Sequence, residues 1–324
     1  MFEPELAIAL EAVRVASLVC RRVQSGIRPD AIEKKDKSPV TVADFASQAV
    51  ISQMLGSAFP GDPLVGEEDS QDLRNPDAVK TLEAILDALR ESSVDATHDD
   101  VLRWIDRGGD AGGGSRFWTL DPVDGTKGFL RGEQYAVSLA LIIDGELQLA
   151  VMGCPNLPSS DAWDKHQGAL FSAIRGQGAQ LRPLAAPQQV QTVRVSSTKN
   201  PTLARFCESV ESAHSKQDTA ALIAQKLGTT VPGARLDSQA KYGLVARGEA
   251  DIYLRLPTRA DYQEKIWDHG AVLIVQEAGG EVTDIHGRPL DFSRGRTLSQ
   301  NRGVVATNGL MHAAVLAAVA SVIQ

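Results

Sequence analysis

The chain has 324 residues, 43% hydrophobic and 23% charged, which is the balance of a folded globular protein with length for one large or two ordinary domains. Lys and Arg number 33 against 41 Asp and Glu, a formal net charge of −8, so no basic field directs the chain to nucleic acid or an anionic membrane surface. No apolar run spans a bilayer, and the opening MFEPELAIALEAVRVASLV lacks the basic start and small-residue cleavage site of a signal peptide.

The spacing of Leu6, Ala9, Leu10, Val13, Ala16 and Val23 predicts a helix over 5–24. Cys20, Cys154 and Cys207 are scattered without CxxC spacing, as inert thiols in a reducing cytoplasm would be. A polar loop carrying Lys34, Lys35 and Lys37 follows. Thr41-Val-Ala-Asp44 then opens a second helix in a capping-box-like way, striped by Ala43, Ala46, Val50, Met54 and Ala58 and stopped at Pro60-Gly61. Asp62 to Gly66 reads as a short strand running into Glu67-Glu68, and 76–91 as a helix. The segment GGDAGGGS (108–115) reads as a flexible surface loop, since no GK[ST] follows to make it a nucleotide-phosphate loop. YAVSLALII and ELQLAVM flank Asp144-Gly145, which predicts a type I′ hairpin, and ALFSAI turns at Arg175-Gly-Gln-Gly178 into another strand. From about 190, strands at VRVSS, DIYLRL, GEVTDI and GVVAT alternate with helices over 201–212, 218–227, 237–247 and 264–278, and an Ala-rich helix ends the chain. An antiparallel first half and an alternating second half predict two α/β lobes, 1–157 and 158–324.

The stretch WTLDPVDGTKGF (118–129) offers chemistry. An EF-hand loop needs acids at alternate positions and glycine sixth, but Asp121 and Asp124 are three apart with glycine fifth. A phosphoaspartate DxDxT motif would put Pro122 where the nucleophile belongs. Two readings stay open: a plain turn, since Asp-Pro and Asp-Gly are turn formers, or a metal site at a strand end. In the second, Asp121 and Asp124 supply oxygens for hard cations beside the outward amides of Gly125 and Thr126. Glu67-Glu68 reads equally as a solvated pair, Asp268 of Ile266-Trp-Asp-His269 as a helix-dipole carboxylate, and Asp44 as a cap. Taken together, these acids all fall at element boundaries, where α/β folds assemble sites.

In order, VTVAD, GEE, DPVDGT and IWDHG resemble the lithium-sensitive, magnesium-dependent phosphomonoesterases related to inositol monophosphatase. The stretches KSPVTVADFASQ, RFWTLDPVDGTKGFLRGEQYAVSLALI, GCPNL, LDSQAKYGLVARGEADIYLRLP and YQEKIWDHGAVLIVQEAGG narrow the resemblance to the 3′(2′),5′-bisphosphate nucleotidases. Those enzymes remove the 3′-phosphate of 3′-phosphoadenosine 5′-phosphate, and the resemblance runs over nearly the whole chain.

The resemblance implies a two-lobed, layered α-β-α-β-α sandwich with the site between the lobes. It implies two to three Mg2+ ions: one on Glu67, Asp121 and the carbonyl of Val123, a second on Asp121, Asp124 and Asp268, and a third held mainly by water and Glu67. Asp44 and Thr126 would orient and deprotonate the attacking water, the Gly125 and Thr126 amides would hold the phosphate, and Ser238, Gln239, Lys241 and Arg255 would line the nucleotide pocket. A Ser-Ser-His-Asp stretch common in the family reads Ser215-Lys216-Gln217-Asp218 here, so base contact at Gln217 or His214 stays open. The expected partner is a small nucleotide bisphosphate, and the expected state a monomer with a dimer left open. Rival readings are an inositol (poly)phosphate 1-phosphatase, or an enzyme with both activities, and a silent nucleotide sensor. Against the sensor stand Asp44, Glu67, Asp121, Asp124, Thr126 and Asp268, all intact.

Overall fold

Helices α1 (Glu3–Ser25) and α2 (Ser38–Ala58) form the outer layer of one lobe, with α3 (Val79–Arg90) and α4 (His98–Asp106) beside them. The computed structural model describes residues 2–27, 38–158, 168–210, 217–257, 259 and 261–323. The face of α1 carrying Ala9, Ala12, Val13, Ala16, Val19 and Cys20 is buried, close to the predicted stripe. α4 is not among the elements expected from the sequence, although Thr97 and Asp100 close a reciprocal capping box at its start.

Beneath these helices lies a seven-stranded sheet in the order β1 (Leu64–Gly66), β2 (Arg116–Asp124), β3 (Ala136–Ile143), β4 (Glu146–Cys154), β5 (Ala169–Ile174), β6 (Ala179–Pro183), β7 (Gln191–Val193). Its strands read as unbroken apolar runs because both faces are covered: Trp118, Leu139 and Leu141 pack toward α1 and α2, while Phe117, Ala140 and Ile142 pack on the opposite face. Asp144 (φ 50°) and Gly145 (φ 78°) are both left-handed, as a type I′ turn between β3 and β4 requires.

The opposite face meets α7 (Ala240–Ala246) and α8 (Val272–Glu277). These in turn contact a five-stranded sheet ordered β11 (Glu281–Thr283), β12 (Val304–Thr307), β10 (Ile252–Arg255), β8 (Phe206–Glu208), β9 (Ala234–Arg235). Helices α6 (Gln217–Leu227) and α9 (His312–Val322) close the far side over Phe206, Ile252, Leu254 and Val305. The result is the layered α-β-α-β-α order that the family resemblance implied. By sheet membership the change of layer falls between Val193 and Phe206, later than the expected boundary at 157–158, because β5, β6 and β7 continue the meander begun by the β3–β4 hairpin.

Three expected helices are shorter than their patterns. In place of 201–212 stand a 3-10 turn at Pro201–Leu203 and strand β8, whose Phe206 and Cys207 pair with Ile252 and Tyr253 of β10. The expected helix over 264–278 is split into a 3-10 turn, Ile266–His269, and α8; there Gly270 passes so close to β3 that a Cβ would lie 3.1 Å from that of Ala140. The one over 237–247 begins only at Ala240, since Ser238 has φ 74° and cannot be helical. GGDAGGGS is no loose loop either: Gly112 and Gly113 pack against the backbone around Gly295, where Cβ atoms would come within 3.1–3.3 Å of it. Among the described residues no helix is long and apolar enough to cross a membrane.

Candidate active site

Two strand ends bring the first acids together. β1 runs parallel to β2 with Gly66 opposite Leu120, so the next residue of each chain, Glu67 and Asp121, emerges at the same level. Gly66 fits there because a Cβ would sit 2.6 Å from Gln48 Oε1. Gln48, on α2, pins the turn by donating to Glu68 O (2.7 Å) and Ile105 O (2.9 Å) while its oxygen accepts from Glu68 N (3.1 Å).

Along a regular strand Asp121 and Asp124, three residues apart, would point to opposite faces. The β2–β3 ladder pairs Asp121 with Ser138 and Asp124 with Ala136, so three steps on β2 meet two on β3. This one-residue bulge at Pro122-Val123, where proline has no N–H to offer, restores both acids to the same side. Ser47 of α2 fixes it by donating to Pro122 O (2.9 Å). Gly125 then turns the chain at φ 91°, and a Cβ there would come within 2.9 Å of Ser238 Cβ. The short helix α5 (Thr126–Leu130) follows.

The other lobe supplies Asp268 from the 3-10 turn, and the facing residues of β10 and α7. Together they enclose a cavity of about 420 Å3 that is lined by Glu67, Asp121, Val123, Asp124, Gly125, Thr126, Ser238, Lys241, Arg255 and Asp268. Ten of the twelve residues nominated from sequence therefore share one wall-to-wall space. Asp44 and Gln239 are not among the lining residues. Asp44 is buried on α2, near enough to Glu68 and Glu67 for their charges to act on it. Gln239 is buried behind the acids and hydrogen-bonded on every side, which removes it from the pocket wall where sequence put it. The positions expected to meet a base, His214 and the side chain of Gln217, lie outside the described residues, as do Lys34, Lys35 and Lys37.

The electrostatics are those of crowded carboxylates. Desolvation, then the charges of Asp268, Glu68 and Asp124, push Glu67 up to about 8. Burial and then Glu67, Asp124, Asp268 and Asp44 raise Asp121 well above the usual carboxylate range. Burial and Asp268 also raise Asp124, opposed by Lys241, Arg255 and the Gln239 amide. Asp44 is raised by burial, then by Glu68 and Glu67. Asp121 Oδ1 is buried with no hydrogen-bond partner among the described residues. An orphaned acid oxygen among mutually repelling carboxylates is the donor set that hard divalent cations take. Glu264, Asp268 and His269 also converge within 4.8 Å, but Arg255 already pairs with both carboxylates there.

The cations differ in freedom. Burial opposes the charge of Arg255, but Asp268 and Glu264 more than offset this and hold it protonated. Lys241 is buried and its affinity for a proton is lowered by that burial; its ammonium donates to Leu236 O (3.3 Å) and lies 5.2 Å from the Tyr253 ring centroid. Lys127, Leu130, Ser209, Asp237, Tyr253, Leu254 and Tyr262 complete the lining and were not nominated from sequence. Tyr253 and Tyr262 do sit inside the quoted stretches DIYLRL and YQEKIWDHG, at a strand alternation and beside the IWD turn. Arg296 was missed with no local signal. It stacks over Trp267, with Cζ 4.9 Å from the ring centroid, and donates to Gly66 O (2.6 Å), Asp110 O (2.9 Å) and Gly108 O (3.3 Å), tying the turns that carry Glu67 and Asp268.

The fold places the chain first. It superposes on an IMPase from Thermotoga maritima with a TM-score of 0.64 over 98% of each chain at 18% identity, and on an inositol monophosphatase from Anabaena with 0.63 over 98% of this chain and 95% of that one at 23% identity. The sequence places it further: the model of the Inositol monophosphatase family matches residues 2–324, and the chain belongs to that family, one of metal-dependent phosphatases. It is 45% identical to a 3′(2′),5′-bisphosphate nucleotidase of Emericella nidulans, covering 100% of this chain and 99% of the relative. It is 43% identical to one of Schizosaccharomyces pombe, over 99% and 96%, and 46% identical to a 3′(2′),5′-bisphosphate nucleotidase 1 of Arabidopsis thaliana, over 86% and 84%.

Proposed function

We propose that the chain is a magnesium-dependent phosphomonoesterase that hydrolyses the 3′-phosphate of 3′-phosphoadenosine 5′-phosphate to AMP and phosphate, and acts likewise on 3′-phosphoadenylyl sulfate. The observation that carries this reading is the meeting, in one cavity, of Glu67, Asp121, Asp124 and Asp268 with two cations, the buried Lys241 and the half-buried Arg255. The acids suit cations that neutralise the phosphate being cleaved, and the basic pair suits a second phosphate held apart from them. Full-length identity above 40% to bisphosphate nucleotidases supports the same substrate class.

In this reading Glu67, Asp121 and the Val123 carbonyl would hold one Mg2+, Asp121, Asp124 and Asp268 would hold a second, and Glu67 with water would hold a third. Bound magnesium supplies a Lewis acid that lowers the pKa of water and offsets charge on the entering and leaving oxygens. The amides of Gly125 and Thr126 orient the 3′-phosphate. Thr126, in the cavity wall, orients the attacking water, and Asp44, buried on α2 outside that wall, takes its proton through a short relay, a role that suits an acid whose proton affinity is raised by burial and by Glu68 and Glu67. Water oxygen bonds to phosphorus as the bond to the ribose 3′-oxygen breaks, and that oxygen takes up a proton. Lys241 is the main anchor of the 5′-phosphate, because the charge of Arg255 is shared with Asp268 and Glu264. Ser238, held left-handed against Gly125, borders both phosphate sites. Free, buried cysteines fit a cytoplasmic enzyme that clears a by-product of sulfate transfer, and inhibition by lithium is expected. An Asp124→Asn variant should lose nearly all phosphate release from 3′-phosphoadenosine 5′-phosphate, and full turnover by that variant would overturn the site.

A further inference from the structure

Gln239 stands between two pocket residues in sequence, yet its side chain faces away from the cavity into the acids. Its orientation is fixed by partners with only one role each. The Ala271 amide can only donate and lies 3.4 Å from Oε1, while the Trp267 carbonyl can only accept and lies 3.0 Å from Nε2. Ser138, the cross-strand partner of Asp121, adds a donor to Oε1 at 3.0 Å. So Nε2 is turned toward Asp121, 3.5 Å from Oδ2, and the Gln239 main-chain amide donates to Asp124 Oδ2 at 2.5 Å. Asp121 is thereby oriented, with one oxygen facing an amide N–H and the other, Oδ1, buried without a partner among the described residues.

We infer that Gln239 is the positioning residue of the metal centre. It fixes the orientation of the Asp121 carboxylate toward the cations and ties the turn bearing Asp268 to the bulge bearing Asp121 and Asp124. This rests on the metal reading given above. A neutral amide suits the place, since it donates to a carboxylate and a carbonyl at once without adding charge to a crowded cluster. Partners that orient a ligand in this way typically set metal affinity over tenfold to a hundredfold.

The test uses Mn2+ as the probe. Binding to the substrate-free full chain is followed by the loss of free Mn2+ signal in electron paramagnetic resonance, with circular dichroism melts as the check on folding. Gln239→Leu should weaken Mn2+ binding, and raise the Mg2+ needed for half-maximal rate, by about tenfold or more. The KM for 3′-phosphoadenosine 5′-phosphate at saturating Mg2+ should stay within about twofold, because Gln239 does not reach the cavity. Should Gln239→Leu fail to fold, Ser138→Ala, which removes one donor to the amide, should shift Mn2+ binding several-fold in the same direction. Unchanged Mn2+ binding in whichever variant is folded overturns the inference, as does a raised nucleotide KM with an unchanged metal requirement. Wild-type protein that binds Mn2+ but releases no phosphate from this nucleotide overturns the functional reading and leaves the inference standing.

Discussion

Stripping divalent cations should make the stability of this protein fall with rising pH, and Mg2+ should relieve the fall. The group that sets the scale is Glu67, at about 8 in the fold against 4.5 for an ordinary glutamate. Because the folded value lies above the unfolded one, the folded state holds the extra proton. Stability is then fully present below about 4.5 and is lost progressively as pH rises to about 8, at about 1.4 kcal/mol per pH unit for one such group. Without screening the loss at pH 7 would be about 3 kcal/mol; because Glu67 is an exposed residue, solvent screening cuts it to about 1 kcal/mol, or about 2 °C in melting temperature for a chain of this size. Asp44, Asp121 and Asp124 shift in the same direction and add to it. Cations bind the ionised carboxylates and release their protons, so their stabilisation grows over the same window. The assay is a pair of melting series from pH 5 to 8, one in EDTA and one in saturating Mg2+, with the gap widening toward pH 8. Parallel curves would refute the claim that these acids form the cation site.

Gly125→Ala forces a Cβ into a left-handed position 2.9 Å from Ser238 Cβ, and should cost about 2 kcal/mol in urea titrations together with most of the turnover. Lys241→Met removes the charged anchor while keeping the length of the side chain. It should raise KM for 3′-phosphoadenosine 5′-phosphate by about tenfold to a hundredfold and leave that for 3′-AMP, which lacks the 5′-phosphate, nearly unchanged; equal effects on both would place Lys241 elsewhere. Arg296→Ala frees the carbonyls of Gly66, Gly108 and Asp110 and unstacks Trp267. It should lower stability by about 2–3 kcal/mol, and raise the Mg2+ requirement as the turns carrying Glu67 and Asp268 loosen. Gly66→Ala, with its Cβ driven onto Gln48, should disturb Glu67 in the same way and lose Mg2+ affinity in calorimetry.

What the sequence carried was local. The α1 stripe, the Asp144-Gly145 hairpin and the order of the acidic motifs could each be read from short spacings, and the resemblance supplied the layers. What it did not carry was convergence. Nothing near Asp121 announces that a bulge at Pro122-Val123 turns Asp121 and Asp124 to one side, or that a parallel register sets Glu67 level with Asp121, since both depend on partner strands distant in the chain. Gln239 reads as a pocket residue because its neighbours are; a left-handed Ser238 turns it inward, and a positive φ at serine has no sequence signature. The glycines of 108–115 suggested freedom but serve close backbone packing on Gly295, a distinction that only the opposing segment makes. Pattern likewise extended the helices at 237 and 264 past backbone geometries that serve the site.

The central claim, that the carboxylate cluster cleaves the 3′-phosphate of a nucleotide also held by its 5′-phosphate, is tested most directly by phosphate release from purified protein. The panel is 3′-phosphoadenosine 5′-phosphate, its sulfated form and inositol bisphosphates, each with and without Mg2+. The account predicts Mg2+-dependent release, with kcat/KM for the nucleotides well above that for the inositol phosphates. Release from inositol bisphosphates alone, or nucleotide turnover at full rate in EDTA, would contradict it.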